Sequence, residues 1–291
     1  MTGPDLGSNP DNYCYRHPER QSFVLCQRCL RTVCAECQTP MPVGVICPEC
    51  LAAATAAHPN VTSMAGRRPR AAVVRRRADG RPTVTYAIIL VTSLFFLIGL
   101  VPGIGPRVES ALAFNSLLMI PGFAFEPWRI LTVTLVHAGI WHVALNMLAV
   151  WALGRSLEPL LGPWRYLTLY VLSAMGGSAL VALLNPGGWV VGASGAVWGM
   201  LGAMFVIGRH LGANVTSIAI LLGLNLVITF LPGSNISWQA HIGGGLVGAL
   251  VGLIFARTRR ADQKRTQVVL LGAVGVGLLA ITIAAPTLLL R

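Results

Sequence analysis

The sequence predicts an all-α polytopic membrane protein preceded by a small metal-stabilised head. Three observations predict it. The 291-residue chain is 54% hydrophobic and only 11% charged, whereas about 25% charge is usual in a soluble domain. Its apolar residues fall in runs close to the ~20 residues that cross a bilayer. All seven cysteines lie between Cys14 and Cys50, before the first of those runs.

In chain order, residues 1–12 are polar and contain Gly and Pro, which predicts a flexible N-terminus. Residues 13–51 carry four knuckles: Cys14-x2-His17, Cys26-x2-Cys29, Cys34-x2-Cys37 and Cys47-x2-Cys50. Two tetrahedral zinc ions need eight ligands, and seven thiolates with one imidazole supply that number. A disulfide framework is the poorer reading, because seven cysteines cannot all pair. All four positions of each ion would be protein ligands, so the ions would be structural, leaving no open site for water. About 39 residues build little core, so metal would supply most of the folding energy. A head of this kind is expected to bind a cytoplasmic protein partner or to regulate.

Residues 52–82 form an Ala-, Pro- and Arg-rich linker with Arg67, Arg68, Arg70, Arg75, Arg76, Arg77 and Arg81. Mutual repulsion predicts a segment that is disordered or lies against headgroups. The first apolar run begins near Val84, too deep for a signal peptide. Seven span cores follow, at about 84–101, 139–155, 165–184, 193–209, 214–231, 237–256 and 267–286. The long connection at 102–138 is amphipathic and carries Pro102, Pro106, Pro121 and Pro127, which predicts a segment packed at the interface or partly in the membrane.

The net charge of +12 would suggest nucleic acid in a soluble protein. Here the basic residues flank apolar runs, so topology and anionic lipid account for them and no nucleic-acid partner is expected. With a cytoplasmic N-terminus, residues 1–83 hold eleven Lys and Arg and the later cytoplasmic connections eight, against three outside. An odd span count then puts the C-terminus outside. Lys264 is the one lysine among 22 basic residues, a bias that suggests a bacterial cell membrane.

Ionisable and polar groups inside spans are costly and are read as functional. His142 and Asn146 share one face at the start of the second span. Ser194 opens the fourth span and His241 the sixth. Even spans run inward from the outer surface, so these groups fall at one depth, roughly 5–10 Å below it at 1.5 Å per residue. Alone, Ser194 between Gly192 and Gly195 reads as helix packing; four polar groups at one depth read as a site. Serine is a weak nucleophile until a base takes its proton, and histidine suits that task. Asn146, His142 and the Ser194 amide can donate to a developing oxyanion. No Asp or Glu falls in the second, fourth or sixth span core, so a Ser–His dyad is expected. His137 reads as a capping or interfacial residue and His210 as interfacial.

Taken together, Glu126-Pro127-Trp128-Arg129, His142-x3-Asn146, Gly192-x-Ser194-Gly195 and His241-x-Gly243-Gly244-x3-Gly248 resemble the motifs of the rhomboid family of intramembrane serine proteases. The resemblance covers about residues 84–256. It implies a six-helix core at 83–256, followed at 257–291 by a cytoplasmic connection and a seventh helix. It implies cleavage of transmembrane protein substrates near the outer surface, with no cofactor for catalysis. Ser194 would be the nucleophile and His241 the base; His142 and Asn146 would hold the oxyanion. Trp128 and Arg129 would belong to a structured loop. Trp198 stands where similar proteins often carry a tyrosine that packs on the histidine. The head resembles B-box-like cross-braced modules. That resemblance implies Cys14, His17, Cys34 and Cys37 on one zinc and Cys26, Cys29, Cys47 and Cys50 on the other, with consecutive pairing as the alternative. A catalytically inactive relative that binds transmembrane segments is the competing reading of the core. A channel or transporter is disfavoured, since internal repeats and midplane charges are not seen.

Overall fold

The computed structural model describes residues 10–41, 44–57, 82–231 and 236–289. The linker arginines Arg67 to Arg81 and the first nine residues of the expected flexible N-terminus lie outside the described residues. The chain divides into two units, Met1–Asp79 and Gly80–Arg291.

In the first unit, β1 (Tyr13–Cys14) pairs antiparallel with β2 (His17–Gln21), and β3 (Thr39–Pro40) with β4 (Val45–Ile46). Helix α1 (Pro48–Ala57) starts inside the last knuckle. These strands are too short to bury a face. The interior consists instead of Cys14, Cys26, Cys34, Cys37 and Cys47, with Val33 and Ile46 beside them.

The second unit is helical. It comprises α2 (Thr83–Gly99), α3 (Gly105–Leu112), α4 (Arg129–Thr132), α5 (Ile140–Leu161), α6 (Pro163–Leu184), α7 (Ser194–His210), α8 (Thr216–Thr229), α9 (Trp238–Arg257) and α10 (Lys264–Leu289). Each of the seven apolar runs corresponds to one helix. Among the described residues, α6, α9 and α10 are long and apolar enough to cross a membrane. Residues Arg129–Leu135 and α5, bent by 101°, pass the same test as a pair. Helices α2 and α8 are shorter apolar helices; at 1.5 Å per residue, the 14 residues of α8 rise about 21 Å, short of a ~30 Å hydrocarbon core. Leu94, Leu97, Leu148, Leu224, Leu246 and Val269 face outward, a surface suited to lipid rather than water.

Helix α9 is the central element and packs against α6 and α7. The approach is backbone to backbone. A Cβ at Gly244 would collide with the Gly195 carbonyl, one at Gly248 with Gly199, and one at Gly252 would fall 2.8 Å from Ala203 Cα. Small residues let helices close to van der Waals contact where lipid gives no hydrophobic drive.

Two polar clasps fix the far ends. Glu158, 3% exposed, accepts from the Val84 and Thr85 amides at 2.9 and 2.8 Å and from the Thr85 hydroxyl at 2.7 Å. Pro82 offers α2 no side-chain cap, so a carboxylate from α5 satisfies its first-turn N–H groups. The second span helix therefore runs on past the expected 155 and does carry an acid. Glu158 lies three turns beyond Asn146, about 18 Å along the axis, and serves α2 rather than the polar site. Gln267 is fully buried. It donates to the Thr258 carbonyl at 2.9 Å and accepts from Arg165 Nε at 2.9 Å, joining α10 to α9 and α6.

The 102–138 connection is folded. Arg129, 5% exposed, pairs with Glu126 and donates to the carbonyls of Ser110 and Ala113 at 2.6 and 2.7 Å. Trp128 Nε1 donates to the Ala111 carbonyl at 3.3 Å. Phe114 and Val190 exchange two backbone hydrogen bonds of 2.9 Å, and the Gly192 amide donates to Val133 at 2.9 Å. The connection is thereby tied to the segment that leads into Ser194.

Candidate active site and metal clusters

Ser194 is the first residue of α7, and its helix starts on Ala193 without a side-chain cap. The N–H groups of its opening turn have no acceptor within the helix. Ser194 is partly exposed. The next residue, Gly195, is so close to α9 that a Cβ there would lie 3.2 Å from the Ala240 carbonyl. Ala240 directly precedes His241. The seam between the two helices therefore runs beside both predicted catalytic residues. His241 is 8% exposed. Trp198, one turn after Ser194, stacks on its ring, with centroids 5.1 Å apart and planes 22° from parallel. A cavity of ≈ 20 Å³, room for about one water, borders Ser194, Gly192, Ser178 and Ala240.

Helix α5 brings the other two residues to the same end. His142 sits against the turn before Ser194. Gly192 there has φ +114°, and a Cβ would fall 2.6 Å from His142 Nε2. Both the conformation and the space require glycine. Asn146 is buried and donates one amide hydrogen to the His142 carbonyl at 2.9 Å; a carboxamide carries two. Trp128 and Arg129 lie in the folded connection, with Arg129 against the Trp189 ring at 6.0 Å.

His137, expected to be a capping or interfacial residue, is buried beside the start of α7. It is 9% exposed, its ring lies edge-on to His142 with centroids 4.9 Å apart, and its Nε2 accepts from the Ala193 amide at 3.4 Å. It thus supports the turn that carries Ser194. The sequence reading also missed Thr229. This residue is 4% exposed, and its hydroxyl lies 3.0 Å from His241 Nδ1. A lone threonine near the end of an apolar run carries no signal of its own.

In the head, the eight predicted ligands form two clusters among the described residues: Cys14, His17, Cys34 and Cys37, and Cys26, Cys29, Cys47 and Cys50. The ligand atoms of each lie within 4.8 Å of one another. The crossed grouping therefore holds, and the consecutive alternative does not. Zn–S bonds of ~2.3 Å in a tetrahedron put ligand atoms about 3.8 Å apart. Cys29 and Cys47 sulfurs are 3.7 Å apart, and His17 Nδ1 lies 3.3–3.8 Å from the sulfurs of Cys34, Cys37 and Cys14. All seven cysteines are free. Arg31 donates to Cys29 Sγ at 3.3 Å, and that guanidinium draws the thiol down to about 6, favouring the thiolate that a cation requires. The donor set fits two tetrahedral metal ions.

Residues 124–258 match the family described as Rhomboid domain. Over 224 residues the chain is 32% identical to Rhomboid protease GluP of Bacillus subtilis, covering 72% of this chain and 42% of that protein. It is 38% identical over 137 residues to RHOMBOID-like protein 1 of Arabidopsis thaliana (45% and 35% covered). It is 30% identical over 149 residues to Rhomboid protein 1, mitochondrial, of Saccharomyces cerevisiae (44% and 42%). The chain spans about two-fifths of the length of these curated relatives.

Proposed function

With a Rhomboid domain at residues 124–258, the chain is an integral membrane protein, and we infer that it is an intramembrane serine endopeptidase acting on transmembrane protein substrates. The observation that carries this reading is the α7–α9 seam, where Gly195 abuts Ala240 and Trp198 stacks on His241. Gly195 directly follows Ser194 and Ala240 directly precedes His241, so this close approach of the two backbones supports pairing the serine with the histidine.

The steps follow from these groups. His241 Nε2 takes the Ser194 Oγ proton as Oγ bonds to the scissile carbonyl carbon. The carbonyl π electrons move to oxygen. That oxyanion accepts from the Ser194 amide, the second Asn146 amide hydrogen and His142. Collapse breaks the C–N bond, and His241 gives its proton to the leaving amine. Water then attacks the acyl-serine by the same route and frees the acid. The folded 102–138 connection, pinned by Arg129, holds the Gly192–Ala193 turn that presents Ser194.

The head is read as a structural two-zinc module facing the cytoplasm, available to a protein partner.

Ser194→Ala should abolish cleavage of a model transmembrane substrate in proteoliposomes, and wild type should be labelled by a serine-directed fluorophosphonate. A wild-type protein that neither cleaves nor labels would mark an inactive, segment-binding relative instead.

A further inference from the structure

A Ser–His pair without a carboxylate leaves open what selects the histidine tautomer. The base needs a lone pair on the nitrogen that faces serine, so the proton of the neutral ring must sit on the other nitrogen. Stacking by Trp198 sets the plane of the His241 ring. It does not choose which nitrogen bears hydrogen, because either tautomer stacks equally well.

Thr229, the last residue of α8, makes that choice. Its Oγ1 lies 2.8 Å from the Asn225 carbonyl, one turn back in its own helix, and 3.0 Å from His241 Nδ1. A hydroxyl has one proton to donate. Threonine in a helix gives that proton to the i−4 carbonyl, and the Asn225 carbonyl can only accept. Toward His241 the oxygen then presents a lone pair. The 3.0 Å contact is a hydrogen bond only if Nδ1 carries the hydrogen, which leaves Nε2 with the lone pair. Both partners are buried, where an unmade hydrogen bond is costly. We propose that Thr229 is the positioning residue of the catalytic histidine, holding His241 in its Nδ1–H tautomer through the hydroxyl contact from α8.

The hydroxyl orients but brings no charge to the imidazolium. Its removal should therefore cost less than the ~10⁴-fold measured when a triad aspartate is made an amide.

The inference rests on the dyad reading, and the test separates the two. Full-length Thr229→Val, Thr229→Ala, Thr229→Ser and Ser194→Ala proteins are compared with wild type in proteoliposomes. Thr229→Val and Thr229→Ala should lose about tenfold or more in kcat, with KM and thermal midpoint near wild type. Fluorophosphonate labelling should slow in the same proportion, and Thr229→Ser should recover most of both rates. Wild-type kcat in Thr229→Val alongside a dead Ser194→Ala would overturn the inference and leave the dyad standing. A kcat loss shared equally by Thr229→Ser, or matched by a fall in thermal midpoint, would make Thr229 a packing residue and also overturn it. Failure of wild type to label would instead strike the dyad reading.

Discussion

At Gly192 two demands coincide. The backbone is left-handed, and the space where a side chain would start is taken by His142. Alanine there must either push the imidazole away or unwind the turn before Ser194. Gly192→Ala should therefore lower kcat by about a hundredfold, on the scale of losing one oxyanion donor, with bilayer insertion intact; single-turnover cleavage against a folding control checks this. Ser194, His142, Asn146 and His241 were legible as a candidate set because histidine and asparagine are rare in the apolar runs and these four fall at one expected depth. His137 was underrated because its value lies in one hydrogen bond to the Ala193 amide, which no spacing rule exposes.

Elements are joined here by a few unsubstitutable contacts. Helix α2 begins at Pro82 and Thr83 with no cap of its own, and Glu158 supplies one from α5. Glu158→Ala would strand two buried or partly buried amides. It should lower the unfolding free energy by about 3 kcal/mol, read as a lowered thermal midpoint in detergent, while the Ser194 labelling rate in the still-folded fraction stays near wild type. Sequence alone placed this acid beyond its span, since nothing in the apolar run announces that the helix continues to Leu161. The head poses the opposite case. Its short strands have no core except the thiols, so the four knuckles disclosed both the ligands and the reason for folding. Which knuckle joins which was not legible, because local spacing is identical in crossed and consecutive pairings. Elemental analysis should find about two zinc ions per chain. Chelation should unfold the head, and acidification should release the metal as the thiolates take up protons; a head that keeps its circular dichroism in chelator would refute the structural role.

For the whole molecule, the order of apolar runs gave the order of helices, but not which helices meet. The contacts of α9 with α6 and α7 depend on glycines whose partners lie 43 to 71 residues away in sequence, a distance over which periodicity carries no information. The asymmetry of basic residues predicts a cytoplasmic head and an external C-terminus. Single cysteines placed at either end of a cysteine-free variant should react with a membrane-impermeant maleimide in intact cells only when near Leu289. Labelling of the head in intact cells would reverse the topology, and with it the membrane surface assigned to the proposed cleavage.

At the α7–α9 seam the closest approaches join backbone carbonyls, glycines and Ala203, with Trp198 stacked on His241, whereas Leu148 and Leu246 face outward. Membranes differ in thickness and fluidity, and the lipid-facing alphabet can be rewritten to suit them without moving Ser194 relative to His241. Substitution is therefore expected to be tolerated over most of the perimeter and refused at a handful of glycines. A saturation-substitution screen scored by substrate release should draw that map directly, silent at Leu148 and Leu246 and intolerant at Gly195, Gly244 and Gly248; equal tolerance at both sets would sink it.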